Sequence, residues 1–183
     1  MRALTPGDRA PEMIATALDG SKVRLPIAGT WTLLSFLRYA SCPMCNLRVR
    51  ELRLAREDFE HEQLAWFAVF HSPVSRLKRH MPEEVWAHVI PDAQRTLSDS
   101  YETRHSWTGL LLSVLVPSFW WRFVRAAAFG YWGGAIDHSF HSMPADFVIS
   151  PDGMIRAVHY GRHIGDHLTV ASVMETARAP QGE

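Results

Sequence analysis

The sequence is poor in cysteine and balanced in charge, and both features exclude some classes of function. Two cysteines in 183 residues are too few for a disulfide scaffold, so they are expected to serve catalysis or metal binding in a reducing compartment. Nineteen Lys and Arg residues balance nineteen Asp and Glu residues, which gives a formal net charge of zero. The chain therefore has no overall attraction for polyanions, and nucleic-acid binding is not expected.

Long hydrophobic runs and a secretory signal are also lacking. The apolar block 107–136 has a charge-free stretch of 16 residues, 106–121, which Pro117 interrupts. A transmembrane helix needs roughly 20 residues, so none is expected here. Residues 1–8 show no basic stretch followed by an apolar core. A cytoplasmic location is therefore predicted.

The two cysteines form one motif, Cys42-Pro43-Met44-Cys45, directly after the apolar run 31–37. That run predicts a buried strand, and Pro43 suits the first position of a helix. The helix directs unpaired backbone N–H groups and the positive end of its dipole at the Cys42 sulfur, which favours the reactive thiolate. Cys45 lies about one turn further on and can close a disulfide with Cys42. The spacing therefore predicts a redox pair.

The remaining pattern predicts alternating strands and helices around one sheet, in a single domain over 1–183. An Asp-Gly turn predicts a hairpin within an N-terminal extension, residues 1–26, and a second hairpin follows near the C-terminus. The block 107–136 holds four of the seven tryptophans and forms an apolar, aromatic helical insertion. Further predicted strands are 64–70, 88–90, 145–149 and 154–160, and predicted helices are 43–63, 74–80, 93–103 with Asp92 as cap, and 168–178.

This order of elements resembles the thioredoxin fold, an α/β fold with a central mixed sheet flanked by helices. Proteins of that fold place a cis-proline opposite the cysteine pair. Pro144 stands just before the first strand of the second hairpin, where that proline is expected. The resemblance therefore predicts a cis peptide between Met143 and Pro144.

The segment 36–48, which contains the cysteine motif, is similar to the F-x-R-x-x-x-C-x-x-C segment of peroxiredoxin-like proteins of the AhpC/TSA family. Residues 144–149 with Pro-Asp-Gly at 151–153 resemble the second hairpin of that family. Residues 165–167 resemble the short motif before its last helix. The resemblance implies an enzyme with thiol-based redox activity toward peroxides or disulfides.

Typical peroxiredoxins carry Pro-x-x-x-Thr-x-x-Cys around the reactive cysteine, and this chain departs from that pattern. It has Ser35 and Tyr39 where the proline and threonine would stand. In the family, the threonine hydroxyl and an arginine bind the peroxide oxygens and stabilise the developing negative charge. Arg38, Ser41 and Arg156 are the expected substitutes, with Arg156 as the candidate for the family's distant arginine.

The expected mechanism uses Cys42 as the attacking thiolate and Cys45 as the resolving thiol, and ends in a Cys42–Cys45 disulfide. An external thiol reductant of the thioredoxin or glutathione type resets the pair, and no cofactor is required. A thioredoxin-like disulfide reductase is one alternative. A non-catalytic binding module that uses the surface of 107–136 is another.

Some features keep several interpretations open. The insertion 107–136 is a second core layer, a dimer or partner surface, or a peripheral membrane contact. A lone cysteine pair offers only half of a structural zinc site, so zinc is not expected there. His138 with His141, and His159 with His163, have spacings that fit metal ligands, but scattered surface histidines explain them more simply.

Overall fold

The computed structural model describes residues 2–134 and 141–179. Five strands form a mixed sheet in the order β5-β4-β3-β6-β7, and β1 and β2 form a separate antiparallel hairpin. Strands β3, β4 and β5 run parallel, while β6 is antiparallel to β3 and to β7. The strands are β1 Met13–Thr16, β2 Lys22–Leu25, β3 Trp31–Leu37, β4 Leu64–Phe70, β5 Val89–Pro91, β6 Ala145–Ile149 and β7 Ile155–Tyr160.

The helices cover both faces of this sheet. They are α1 Pro43–Leu54, α2 Arg56–His61, α3 Val74–His80, α4 Thr96–Ser100, α5 Trp107–Leu115, α6 Pro117–Ala128 and α7 Val170–Arg178, with a 3-10 helix at Glu83–His88. Side chains of β3 alternate between two hydrophobic layers, as a pleated strand requires. Leu33 and Leu37 pack with α1 and α7, whereas Leu34 and Phe36 pack with α4 and the N-terminal hairpin.

The central strands follow directly from their composition. All seven residues of β3 are buried, and so are all but one residue of β4. A strand covered on both faces needs a continuous apolar run rather than an alternating one. Both strands therefore have the bounds that the sequence predicted.

Two predicted helices differ from the structure. The helix expected over 43–63 is divided at Ala55 into α1 and α2, and this bend keeps both Leu52 and Phe59 buried. The helix expected over 93–103 is restricted to α4. Asp92 does not stand at its N-cap but accepts hydrogen bonds from the backbone of Leu97 and Ser98 further along. The residues between form a turn, which shortens the helix.

The peptide between Met143 and Pro144 is not cis, contrary to the sequence-based expectation. Backbone hydrogen bonds hold both ends of this dipeptide. The Met143 N–H donates to the Arg104 carbonyl at 2.9 Å, and the Pro144 carbonyl accepts from the Gly161 N–H at 2.8 Å. These two bonds fix the trans peptide where the chain enters β6.

The insertion consists of α5 and α6, joined at Val116 and bent by 83°. No single helix among the described residues is long and apolar enough to cross a membrane, although this bent pair satisfies the criterion by length and composition. Most of its large apolar side chains are exposed, including Trp107 and Trp121 at 66% each. The second-core-layer interpretation is therefore wrong for these side chains.

Candidate active site around Cys42 and Cys45

The cysteine motif lies where β3 ends and α1 begins. Cys42 is the N-cap residue of α1, and Pro43 occupies the first helical turn. Both thiols are reduced, and both are buried, with exposed fractions of 1% for Cys42 and 3% for Cys45. The predicted pair is therefore assembled in one place, at the N-terminus of a 12-residue helix.

Side-chain hydrogen bonds from neighbouring elements fix the loop that carries Cys42. The Asn46 amide donates to the carbonyl oxygens of Ala40 and Cys42 at 2.8 and 2.9 Å. The Ala40 N–H donates to the Ser72 hydroxyl at 2.9 Å, which ties the loop to the end of β4. The loop is thus held from both sides before any substrate arrives, as a reactive group must be.

The two thiols have opposite acidities. A hydrogen bond from the Cys45 thiol lowers the pKa of Cys42, burial opposes this, and the charge of Arg38 lowers the pKa further, to about 6. The pKa of Cys45 is raised well above its usual value, first by burial and then by its hydrogen bond to Cys42 and the charge on Cys42. Cys42 is therefore the more acidic thiol of the pair, and Cys45 keeps its proton at neutral pH.

Arg38 and Ser41 lie at the site, as predicted. Arg38 Nη1 is 3.7 Å from Cys42 Sγ, and the Arg38 backbone N–H donates to Cys45 Sγ at 3.4 Å. The guanidinium also lies over the ring of Tyr39, with its carbon 5.1 Å from the ring centroid. Ser41 is buried directly before Cys42. A cation and a hydroxyl therefore accompany the thiolate.

Pro144 and Arg156 lie at opposite ends of the hairpin formed by β6 and β7. Ala145 pairs with Phe36, so Pro144 lies at the edge of the sheet where the cysteine loop begins. Arg156 lies next to the other end, where its guanidinium pairs with Asp152 at 3.0 Å and its Nε donates to Ser150. The five residues of β6 separate the two ends by about 15 Å. The assignment of Arg156 to the catalytic site is therefore wrong.

The segment after α6 covers the cysteine loop. A Cβ at Gly133, whose φ is +83°, would lie 3.6 Å from Pro43 Cγ, and a Cβ at Gly134 would lie 3.1 Å from Ser41 Cβ. Glycine lets this backbone approach the loop closely. The insertion therefore reaches the active site, a contact that the sequence pattern did not predict.

A buried polar network beside the cysteine loop was not predicted either. His71, at the end of β4, contacts the hydroxyls of Ser98 at 2.7 Å and Ser142 at 3.0 Å, and Arg95 Nη1 lies 3.4 Å from its Nδ1. The backbone N–H of His71 donates to the Arg38 carbonyl at 3.0 Å. Burial, and then Arg95, lower the pKa of His71 to about 3. The backbone of His71 is therefore tied to Arg38, while its neutral imidazole lies among Ser98, Ser142 and Arg95.

This histidine makes stability depend on pH. Its pKa is lower in the folded protein than the roughly 6.5 of an unfolded chain, so the unfolded state takes up the proton first as pH falls. Between these two values its contribution decreases by up to about 1.4 kcal/mol per pH unit. Urea unfolding at a series of pH values should show a shallower pH slope for His71→Gln than for wild type. Parallel curves would contradict this assignment.

A second buried network lies under α1. Asp146 on β6 accepts hydrogen bonds from the Ser35 hydroxyl at 2.6 Å and the Leu168 N–H at 2.7 Å. Its carboxylate lies 3.0 Å from His167 Nδ1 and 3.4 Å from Arg48 Nη2. Burial alone would raise the pKa of Asp146, but His167 and Arg48 hold it well below its usual range. Ser35, which replaces the usual proline, is thus part of a buried charge network.

Metal binding gains no support from the histidines. His138 lies outside the described residues. His159 Nε2 pairs with Asp166 at 2.9 Å. Within residues 2–134 and 141–179, no three His, Cys, Asp or Glu side chains are grouped so that they could hold a metal ion.

Solved structures of redox proteins share this fold. The peroxidoxin BcpB from Mycobacterium tuberculosis has a TM-score of 0.68 at 16% identity, over 98% of this chain and 99% of that one. A yeast mitochondrial 1-Cys peroxiredoxin has a TM-score of 0.64 at 14% identity, over 93% and 73%. A putative thiol:disulfide interchange protein DsbE from Chlorobium tepidum has a TM-score of 0.55 at 16% identity, over 86% of each chain. The predicted thioredoxin-like fold is therefore confirmed.

The curated proteins include no match to this chain. Residues 6–158 match the AhpC/TSA family, which is most of the sequence and includes the cysteine motif. The geometry around Cys42 agrees with the thiol chemistry of that family. The chain belongs to the AhpC/TSA family and is a thiol-dependent redox enzyme, a thiol peroxidase or thiol–disulfide oxidoreductase.

Proposed function

We propose that the protein is a two-cysteine thiol peroxidase in which Cys42 attacks a hydroperoxide and Cys45 resolves the product. One observation carries this proposal: the Arg38 guanidinium lies 3.7 Å from Cys42 Sγ at the start of α1, and the Cys45 thiol is hydrogen-bonded to Cys42, an arrangement that lowers the pKa of Cys42 to about 6. Nucleophile, cation and resolving thiol are thus already together.

In the first step, Cys42 Sγ forms a bond to the distal oxygen of the hydroperoxide as the O–O bond breaks. The proton of the hydroperoxide moves to the leaving oxygen, which departs as water or an alcohol. Arg38 stabilises the negative charge that develops on the oxygens, and the Ser41 hydroxyl is the second candidate donor. Cys42 is left as a sulfenate, which takes up a proton from solvent to become sulfenic acid.

In the second step, Cys45 attacks the sulfur of Cys42. While Cys42 is a thiolate, its charge contributes to the raised pKa of Cys45. Oxidation to neutral sulfenic acid removes this repulsion, so Cys45 loses its proton more readily. Hydroxide leaves Cys42 and takes the proton of Cys45 to form water, and the disulfide closes. Because both cysteines belong to one helix start, no large rearrangement is needed.

An external thiol completes the cycle by reducing the disulfide. In the yeast mitochondrial 1-Cys peroxiredoxin, thiol resolution proceeds via the glutathione and thioredoxin systems, and we propose a reductant of this class here. A cytoplasmic location, which keeps thiols reduced, suits this proposal. Because Cys42 is 1% exposed, the loop that carries it must open to admit substrate or reductant.

Disulfide reduction is the second candidate, and the Cys-x-x-Cys spacing favours it. In that reaction Cys42 attacks a substrate disulfide, one substrate thiolate leaves, and Cys45 releases the other thiol from the mixed disulfide. Both candidates end in the same Cys42–Cys45 bond, so the structure of the oxidised protein does not distinguish them. Only the rate with each substrate does.

The deciding experiment is stopped-flow reaction of the reduced protein with hydrogen peroxide, an organic hydroperoxide and a model disulfide. We expect rapid thiol loss with a hydroperoxide, no reaction in Cys42→Ser, and a sulfenic acid trapped by mass spectrometry in Cys45→Ser. Reaction with the disulfide alone would make the protein a reductase. Inertness toward all three reagents would refute the proposal.

A further inference from the structure

The insertion presents a surface of exposed apolar side chains that the proposed chemistry does not use. Of the thirteen large hydrophobic residues that are exposed among those described, ten lie between 107 and 132. Their exposed fractions range from 45% to 75%. We call them the apolar face: Trp107, Leu111, Leu112, Val114, Leu115, Trp120, Trp121, Val124, Phe129 and Trp132. Such a concentration marks an interaction site.

Helix α5 packs on the protein through its small residues. A Cβ at Gly109 would lie 2.7 Å from Met143 Sδ and 2.9 Å from the Arg162 carbonyl, so the helix backbone itself is in contact. The Ser113 hydroxyl accepts a hydrogen bond from the Ile164 N–H at 2.9 Å. A helix of a soluble domain normally buries its large apolar residues. In α5 they face outward, and small residues form the inner side.

Helix α6 is also anchored to the body of the protein, through a small buried residue and an ion pair. Ala126 is fully buried, and Arg122 pairs with Glu51 of α1 at 3.1 Å. At the end of the helix, the Arg50 guanidinium lies 4.1 Å from the centroid of the Phe129 ring. The apolar face is therefore presented by helices that are anchored to the body of the protein.

The helices that carry the apolar face contribute no negative charge of their own, and of their cations Arg122 is already paired with Glu51. The sequence from 103 to 136 contains no Asp or Glu, and its cations are Arg104, Arg122 and Arg125. Arg125 is exposed and follows Trp121 by four residues, so the two side chains lie on one side of α6. The leucines of α5 lie between Trp107, at the start of that helix, and Trp120 and Trp121 in α6. Aliphatic residues flanked by tryptophan and cations are typical of helices that lie in a membrane interface.

We propose that the apolar face docks the protein on the surface of an anionic phospholipid bilayer, with the outer sides of α5 and α6 inserted among the headgroups. The charge distribution favours a bilayer over a second copy of the chain. In a symmetric dimer the same patch faces itself, and Arg125 would find no carboxylate from α5 or α6 of the second copy. Anionic headgroups supply the negative charge that this face lacks.

Docking would bring the cysteine loop to the membrane. The segment after α6 runs from the apolar face to Gly133 and Gly134, which lie against Pro43 and Ser41. Resting on the proposed peroxidase function, this placement assigns hydroperoxides of phospholipid acyl chains as the substrate class. Cys42 Sγ takes the distal oxygen, the O–O bond breaks, and the lipid leaves as an alcohol that carries the proton of the hydroperoxide.

The test is flotation of the full chain with vesicles of phosphatidylglycerol and phosphatidylcholine, compared with phosphatidylcholine alone. We expect the wild type to bind the anionic vesicles. Leu111→Ser/Leu115→Ser should bind at least about tenfold more weakly, because it loses two aliphatic side chains that would insert into the bilayer. The matched control is Ile14→Ser/Leu54→Ser, because these two residues are each 65% exposed outside the apolar face. The control should bind as wild type does.

Three results would overturn docking: no flotation of wild type, equal flotation of both double variants, or a dimer in solution that Leu111→Ser/Leu115→Ser dissociates.

A separate experiment tests the substrate class by comparing oxidation by a phospholipid hydroperoxide in vesicles with oxidation by a soluble organic hydroperoxide. We expect Leu111→Ser/Leu115→Ser to lose rate only with the vesicles. If wild type and Leu111→Ser/Leu115→Ser react at equal rates with the hydroperoxide in vesicles, the proposed substrate class is wrong. Flotation without reaction toward either hydroperoxide would refute the peroxidase function and leave docking intact.

Discussion

The Arg38→Met variant is expected to react with hydroperoxide about 100-fold more slowly than the wild type at neutral pH. Arg38 Nη1 lies 3.7 Å from Cys42 Sγ. Its charge is one cause of the lowered Cys42 pKa, after the hydrogen bond from Cys45. Loss of the guanidinium therefore decreases the thiolate fraction and also removes the cation that faces the developing oxygen charge.

The measurement is the rate of sulfenic acid formation across a pH series, together with the ultraviolet absorbance of the thiolate. In the wild type the rate should rise with pH and level off above a midpoint near 6, the value at which Cys42 loses its proton. In Arg38→Met the midpoint should move upward and the plateau should be lower. Arg38→Lys keeps the charge and should restore the midpoint better than the plateau. An unchanged profile in Arg38→Met would remove Arg38 from the mechanism.

The parts of the fold that the sequence predicted well are those set by local chemistry. β3 and β4 are continuous apolar runs that fit only a strand buried on both faces, and the Asp-Gly pair at 19–20 marks the first hairpin. The proline after Cys42 identifies the start of α1. The placement of Cys42 and Cys45 together follows from that start alone, because the helix geometry determines both positions.

The parts that could not be predicted depend on contacts between distant residues. Arg156 was the candidate for the distant arginine of the family, but the pairing of β6 with β3 and β7 places it at the far end of the sheet. The contact of Gly133 and Gly134 with the cysteine loop depends on how the insertion packs. Neither follows from residue type or spacing.

The Asp146 network leaves a partial signal in the sequence. Asp146 and Ser35 are polar residues within apolar strand runs, and Arg48 lies on the buried side of α1. A polar residue inside a buried strand requires a partner, and a charged one requires a countercharge. Ser35 and Asp146 are register partners on neighbouring strands. The pattern indicates buried partners, but it does not identify Arg48 and His167.

Replacement of Asp146 by alanine is expected to lower the free energy of unfolding by about 3–5 kcal/mol. Asp146 is fully buried, and Arg48 is 1% exposed. Without the carboxylate, the Arg48 charge stays in the interior with no countercharge, and the Leu168 N–H and the Ser35 hydroxyl lose their acceptor. Urea unfolding at neutral pH measures the loss. The control is Arg156→Ala, whose pair with Asp152 is partly exposed and should contribute less than about 1 kcal/mol.

A second variant separates the buried charge from simple loss of packing. If the unpaired Arg48 causes the instability, Arg48→Met/Asp146→Ala should be more stable than Asp146→Ala alone, because removal of both charges leaves none uncompensated. Lowering the pH should also remove the stability that the Asp146 charge contributes. The pKa of Asp146 is lowered in the folded protein, so its contribution is present above about pH 4 and is lost as pH falls further. A double variant as unstable as the single one would mean that Asp146 acts through its hydrogen bonds and not through its charge.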